Sequence, residues 1–200
     1  MTRRVSLAVA EGFLDMVAAE KLLDALHVKG ELCAFIDKRG RDAFWRDAHR
    51  YNAAAKHHGP IVGLADLEAE PCSSGLIHRH LPHGRHAGFV LRIAVRMVES
   101  WLLADRQNIV TYLSVPLTLI PLAPDTLENP KREIVNLARR SPRRDIREDI
   151  VPDVGSSGVV GPGYTTQMQL FIRDHWNPLT AQAVSASLRR AISAVRASCA

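Results

Sequence analysis

Residues 89 to 105 read FVLRIAVRMVESWLLAD, and their pattern decides the fold. Phe89, Leu91, Ile93, Val95 and Met97 fall on one face of an alternating run, with Arg92 and Arg96 on the other. A period of two predicts a strand with one buried face. From Glu99 the composition changes to good helix formers, Glu-Ser-Trp-Leu-Leu-Ala-Asp, and predicts a helix start. Glu99 therefore sits at a strand-to-helix switch, where ligands bind in open α/β sheets. An acid there also suits the helix dipole, and spacing alone leaves both readings open.

Two more switches of this kind lie upstream. Val5 to Ala10 is a short apolar run that predicts a buried strand, ended by Glu11-Gly12. Leu14 to Leu26 has helical spacing of apolar residues. In a helix that begins at the turn, Glu11 and Asp15, four apart, point to one side. Ile61 to Ala65 predicts a third buried strand that runs into Asp66-Leu67-Glu68. If the strand continues, Asp66 and Glu68 share a face. Two like charges side by side are unfavourable unless a cation lies between them. A metal site and a solvated acidic loop are then equal readings.

The remaining elements fill out an α/β pattern. Glu31 to Lys38 predicts a weaker strand, and Asp42 to His58 a helix stopped by Gly59-Pro60. Pro71 to Gly88 carries His78, His80, His83 and His86 and reads as a basic, pH-sensitive loop, since Pro82 and Gly84 interrupt any tetrahedral zinc arrangement. Pro116 to Pro130 is an extended, proline-rich connection. Asn129 suits an N-cap and Pro130 the first position of a helix running from Lys131 to Arg140. Arg139, Arg140, Arg143, Arg144 and Arg147 form a basic cluster diluted by Asp145, Glu148 and Asp149. Such a run either holds phosphates or is a solvated face. Val154 to Gly163 is a flexible loop, and Tyr164 to Trp176 and Leu179 to Val195 predict closing helices whose apolar stripes read as core.

Composition narrows the function classes. The chain has 200 residues, a formal net charge of +5 and 46% hydrophobic residues, which suits one folded domain with a weak preference for polyanions. The three cysteines, Cys33, Cys72 and Cys199, are widely spaced and predict neither a disulfide framework nor a thiolate zinc site. No apolar run approaches the ~20 residues that span a bilayer, and a cytoplasmic protein is expected. The sequence contains no GxSxG, HExxH or GxGxxG, and the Val154–Gly163 loop lacks the Gly-Lys-Ser/Thr ending of a phosphate loop.

Four pieces, in order, resemble a bacterial family of small Toprim-related proteins similar to the RloB and OLD nucleases of phage-defence loci. They are Glu11-Gly12-Phe13-Leu14-Asp15, Asp66-Leu67-Glu68 followed by Cys72, Met97 through Asp105, and Asn129-Pro130-Lys131. The resemblance covers roughly residues 5 to 135, and Glu-Ser-Trp-Leu-Leu-Ala-Asp is its most specific part. It implies a mostly parallel sheet flanked by helices. Residues 1–115 would form the Toprim-like core and residues 116–200 a connection and helical extension packed on it, in one domain.

The resemblance also implies Mg²⁺ (or Mn²⁺) and phosphodiester chemistry, with nucleic acid and a partner ATPase as partners. Glu11, Asp66 and Glu68 would hold the metal. Glu11 would be the general acid/base, and Glu99 a further acid. Arg92, Arg96, Lys131, Arg139, Arg140, Arg143 and Arg144 would contact phosphates, and Asp15 and Asp105 are further candidates. Two departures stand out. Glu68 replaces the usual second aspartate, one methylene longer, in a site that must be near octahedral for Mg²⁺. Leu14 and Asp15 occupy positions where related nucleases show Thr and Glu. A non-catalytic module that binds nucleic acid or a partner protein is the alternative.

Overall fold

Every predicted apolar run becomes a strand of one sheet. The computed structural model describes residues 3–200. The strands are β1 (Val5–Ala10), β2 (Lys29–Asp37), β3 (Ile61–Asp66) and β4 (Phe89–Ala94). They lie in the order β2-β1-β3-β4, and every pairing is parallel. Helices α1 (Phe13–Ala25), α2 (Arg41–Ala54) and α3 (Ser73–His80) make the crossovers. This is an α/β fold with a parallel sheet flanked by helices, as the sequence pattern predicts.

The order sets the site. The chain leaves β1 toward β2 on one side, and β3 leads to β4 on the other. Right-handed crossovers then put α1 and α2 on opposite faces. The point where the direction reverses lies between β1 and β3, at their carboxyl ends, and a crevice opens there.

β1, β3 and β4 are covered on both faces and are apolar almost throughout, whereas the edge strand β2 carries Lys29, Glu31 and Asp37 and has no buried residue. One face packs Phe44 and Trp45 of α2 and Leu76 of α3 against Phe89, Leu91 and Ile93. The other packs α1 with everything beyond β4. The helices there are α4 (Val98–Ala104), α5 (Arg106–Leu113), α6 (Pro130–Arg139), α7 (Arg144–Ile150), α8 (Tyr164–Leu170), α9 (Pro178–Ala181) and α10 (Ala186–Cys199). Their side chains share one core with α1, and Trp101 is its centre: its indole donates to Ser187 Oγ at 2.7 Å, and Trp176 donates to its carbonyl.

Local chemistry explains most boundaries. Asn129 caps α6 by accepting from the Arg132 amide at 2.9 Å, with Pro130 in the first turn. Four expectations need correction. The central strand ends at Ala94 rather than Met97, because Val95–Met97 turn into α4. Within the expected histidine loop, Ser73–His80 is helical, with the Cys72 thiol accepting from the Gly75 amide and His80 stacked on Trp45. The proline-rich connection holds two 3₁₀ turns, Leu117–Leu119 and Pro124–Thr126. The first closing helix passes at Phe171 into a π-helical turn, Phe171–His175, and the second is broken after Ala181. Among the described residues no single helix is long and apolar enough to cross a membrane.

Candidate functional site

Three strand ends deliver acids to the crevice. Glu11 follows β1, Asp66 ends β3, and Glu99 stands in the first turn of α4 after β4. Asp15, one turn into α1, completes the group. Glu11 and Asp15 are each 7% exposed and Glu99 only 2%. Every residue of α4 is buried, so Glu99 is not a solvated first-turn acid. Carboxylates this deep are unfavourable unless partnered.

Glu99 has its partners. The Tyr164 hydroxyl donates to Glu99 Oε1 at 3.1 Å, and Lys131 Nζ lies 3.6 Å from the same oxygen. Tyr164 comes from the start of α8, and Lys131 from the first turn of α6. The Val98 amide donates to Asp66 Oδ1 at 2.9 Å, and the Gly12 amide to Asp15 Oδ2 at 3.1 Å. Asp15 Oδ1 is buried without a hydrogen-bond partner, and Glu11 Oε2, also buried without one, has only the Arg41 guanidinium at ion-pair distance.

Asp15, Asp66, Glu99, Lys131 and Tyr164 line one cavity of about 230 Å³, with Phe13 and Val160 at its wall. Glu11 lies beside it rather than in it, facing Arg41 Nη1 at 3.9 Å. Arg41 also reaches Glu68 at 3.4 Å and Glu70 at 3.6 Å, and donates to the Asp66 carbonyl. The site thus has an enclosed half and a half tied down by one guanidinium. Larger cavities lie elsewhere, among them one of about 810 Å³ between α1 and the π-helical turn.

Burial and mutual repulsion shape the protonation. Burial pushes the Glu11 carboxyl up to about 7, against the pull of Arg41 and with the help of Glu68. Burial, then the charges of Glu99 and Glu11, push Asp15 up to about 8. Asp66 is raised by burial and by Asp15, Glu99 and Glu11. Burial and the Glu99 charge raise the Tyr164 hydroxyl, so it stays a donor. Without a cation the cluster holds protons in place of one.

A divalent cation of the hard, oxygen-seeking kind fits this donor chemistry. Such an ion would satisfy the unpartnered Asp15 oxygen and the Glu11 oxygen that otherwise faces only Arg41 at 3.9 Å. Among the described residues no group of three His, Cys, Asp or Glu is arranged to hold a metal ion as it stands. Binding therefore requires the carboxyls to turn and to release protons.

The other predicted residues are placed as follows. Glu68 does not share a strand face with Asp66: β3 stops at Asp66, and Glu68 sits beyond it, exposed, at φ 52°. Arg96 is folded back onto the carbonyls of Glu68 and Glu70, so it clamps the β3–α3 loop. Arg92 is on the α10 face and outside the acidic cavity, near Arg85 and Arg190. Asp105 caps α9, accepting from the Asn177 amide at 2.7 Å and from Thr180 Oγ1; it is structural.

The basic run is also spent locally. Arg143 pairs with Asp145, Arg144 with Glu148, and Arg147 holds the Ser141 carbonyl. Arg139 and Arg140 are exposed at the far end of α6, about 12–14 Å of helix from Lys131. Of the predicted phosphate contacts, Lys131 alone lines the acidic cavity. Sequence reasoning missed Tyr164 and Arg41. Nothing in the Tyr164 neighbourhood signals its role, whereas Arg41, opening α2 after a strand end, sat at the same edge as Glu11.

No family model, curated protein or solved structure matches this chain. What defines it is a parallel α/β sheet with four carboxyl groups gathered at its switch point.

Proposed function

We propose that this protein is a Mg²⁺-dependent (or Mn²⁺-dependent), nuclease-like enzyme that cleaves phosphodiester bonds at the carboxyl edge of its sheet. The observation that carries the reading is the quartet Glu11, Asp15, Asp66 and Glu99, buried except for the half-buried Asp66, with one oxygen of Asp15 unpartnered and one of Glu11 faced only by Arg41 at 3.9 Å. Asp66, Asp15 and Glu11 would hold the ion, with Glu68 close enough to join on leaving Arg41. When bound, the ion supplies charge neutralisation and polarisation of a phosphate oxygen.

The side chains supply the rest. Lys131 Nζ stands at the cavity, 39% exposed along its side chain, and contributes a positive contact for a phosphate. Glu11, raised to about 7, holds or gives up a proton near neutrality, as a general acid/base must. Tyr164 keeps Glu99 oriented. A cavity of about 230 Å³ is smaller than ordinary ligand pockets, so it accepts a phosphate group while the rest of a strand lies outside. That favours a polymer over a small metabolite. The resemblance to RloB and OLD nucleases adds the expectation of a role in phage defence with a partner ATPase.

The test is cleavage of end-labelled single- and double-stranded DNA and RNA with Mg²⁺ or Mn²⁺, beside Glu11→Gln and Asp66→Asn. Metal-dependent cleavage lost in both variants supports the reading. Cleavage retained in either overturns the assignment. A non-catalytic binding module is the second reading, favoured by the lack of three donors already converged on one point.

A further inference from the structure

At the opposite end of the sheet the chain builds a second charged feature. A groove of about 980 Å³ runs along the amino-terminal ends of the strands, between the start of β1, the Ala55–Pro60 turn and the last turns of α10. Arg3, Arg4, Lys56 and Arg85 line it, with His57 and His86, and no aspartate or glutamate does. Six-residue strands separate it from the acidic crevice by about 20 Å.

Its cations are uncompensated. Among the described residues none of Arg3, Arg4, Lys56 and Arg85 is in an ion pair, nor are Arg92 and Arg190 beside the groove. Arg4 and Arg85 donate to backbone carbonyls, of His27 and Leu91. Arg92 is half-buried, and its Nε has no hydrogen-bond partner. Burial and the like charges of Arg85 and Arg190 hold its guanidinium below its ordinary value. Elsewhere, among the described residues, Arg41, Arg50, Arg79, Arg143 and Arg144 pair with carboxylates, while scattered exposed arginines such as Arg139 and Arg140 do not. What sets the groove apart is that its cations line one concave surface that no aspartate or glutamate lines. A concentration of unmatched positive charge around a concave surface is stabilised by an extended anion.

We infer that this groove is a binding surface for the phosphodiester backbone of nucleic acid, separate from the acidic site and independent of any metal there. Linked phosphates at a regular spacing answer cations on both walls, and release of counterions drives the association. A flat anionic membrane suits a concave groove poorly, and the lining offers no large exposed apolar side chain to insert.

The experiment is fluorescence anisotropy of labelled oligo-dT and oligo-U with the full chain in EDTA, at a series of salt concentrations. The EDTA separates this claim from the metal-dependent reading. Lys56 and Arg190 are exposed, so Lys56→Glu with Arg190→Glu should fold normally, checked by circular dichroism. The pair should weaken binding about tenfold or more and lower the salt slope by about 1.5. Arg139→Glu with Arg140→Glu, on the exposed end of α6, should bind as the wild type does. Binding absent in the wild type at low salt, lost equally in both pairs, or matched by phosphatidylserine vesicles that compete the oligonucleotide away, would overturn the inference.

Discussion

The Tyr164 hydroxyl donates to Glu99 Oε1 at 3.1 Å across 65 residues of chain. This bond joins α8 to the first turn of α4 and fixes the carboxylate on one wall of the acidic cavity. Tyr164→Phe keeps the ring and removes the donor, leaving Glu99 with Lys131 alone. The expected loss is about 1–3 kcal/mol, seen as a melting temperature several degrees lower. An unchanged melting temperature would mean that the bond does not anchor the cavity.

The raised carboxyls make the metal-free protein less stable as pH rises. Glu11 moves from 4.5 to about 7 and Asp15 from 3.8 to about 8 on folding. Between those values the unfolded chain has released protons that the native state keeps. Their stabilising contribution is complete below about pH 4 and is lost as pH climbs through 7 and 8. Melting temperatures in EDTA should therefore fall from mildly acidic to mildly alkaline pH. Asp15→Asn should flatten that decline; a decline as steep as the wild type's would count against Asp15 as its source.

Arg41 holds the open half of the site together. Its guanidinium lowers the Glu11 value against the pull of burial. Arg41→Met should move the Glu11 titration, followed by carbon-detected NMR of its carboxyl, to higher pH. It should also free Glu68, which is tethered at 3.4 Å. A Glu11 titration that stays in place would show that the 3.9 Å approach has no electrostatic consequence.

Asp105 separates structure from site. It accepts from Asn177, Thr180 and Asn108, all remote from the cavity. Asp105→Ala should cost about 2–4 kcal/mol in stability and leave any metal-induced stabilisation intact. Loss of the metal response in a folded Asp105→Ala protein would contradict this assignment.

The strands and the switch points were legible because burial on both faces writes itself as short apolar runs, as in VSLAVA and IVGLA. Asp15 was singled out by a helical spacing from Glu11 that does not hold, since α1 begins at Phe13 and Glu11 precedes its cap. The two acids meet because the turn after β1 delivers both to the same edge. Glu68 misled, because strand alternation was extended two residues past the end of β3, where the backbone turns left-handed. The run Arg139–Arg147 misled for a different reason: charge in sequence does not reveal whether i,i+4 partners such as Arg144 and Glu148 consume it. Tyr164 was out of reach, since its meeting with Glu99 depends on how α6 to α8 fold back over α4. The same holds for the basic groove, whose lining cations Arg3, Arg4, Lys56 and Arg85 are far apart in the chain.

The central claim is that the acidic quartet exchanges protons for a divalent cation. The most direct measurement is thermal unfolding near pH 8 during Mg²⁺ and Mn²⁺ titration, with Asp66→Asn beside the wild type. Asparagine keeps an acceptor for the Val98 amide and removes a charge, so this variant should be at least as stable without metal. The wild type should be stabilised by about 2.7 kcal/mol at a hundredfold excess over the dissociation constant, and Asp66→Asn should not respond. A wild type indifferent to both ions, or an Asp66→Asn protein that responds equally, would contradict the claim.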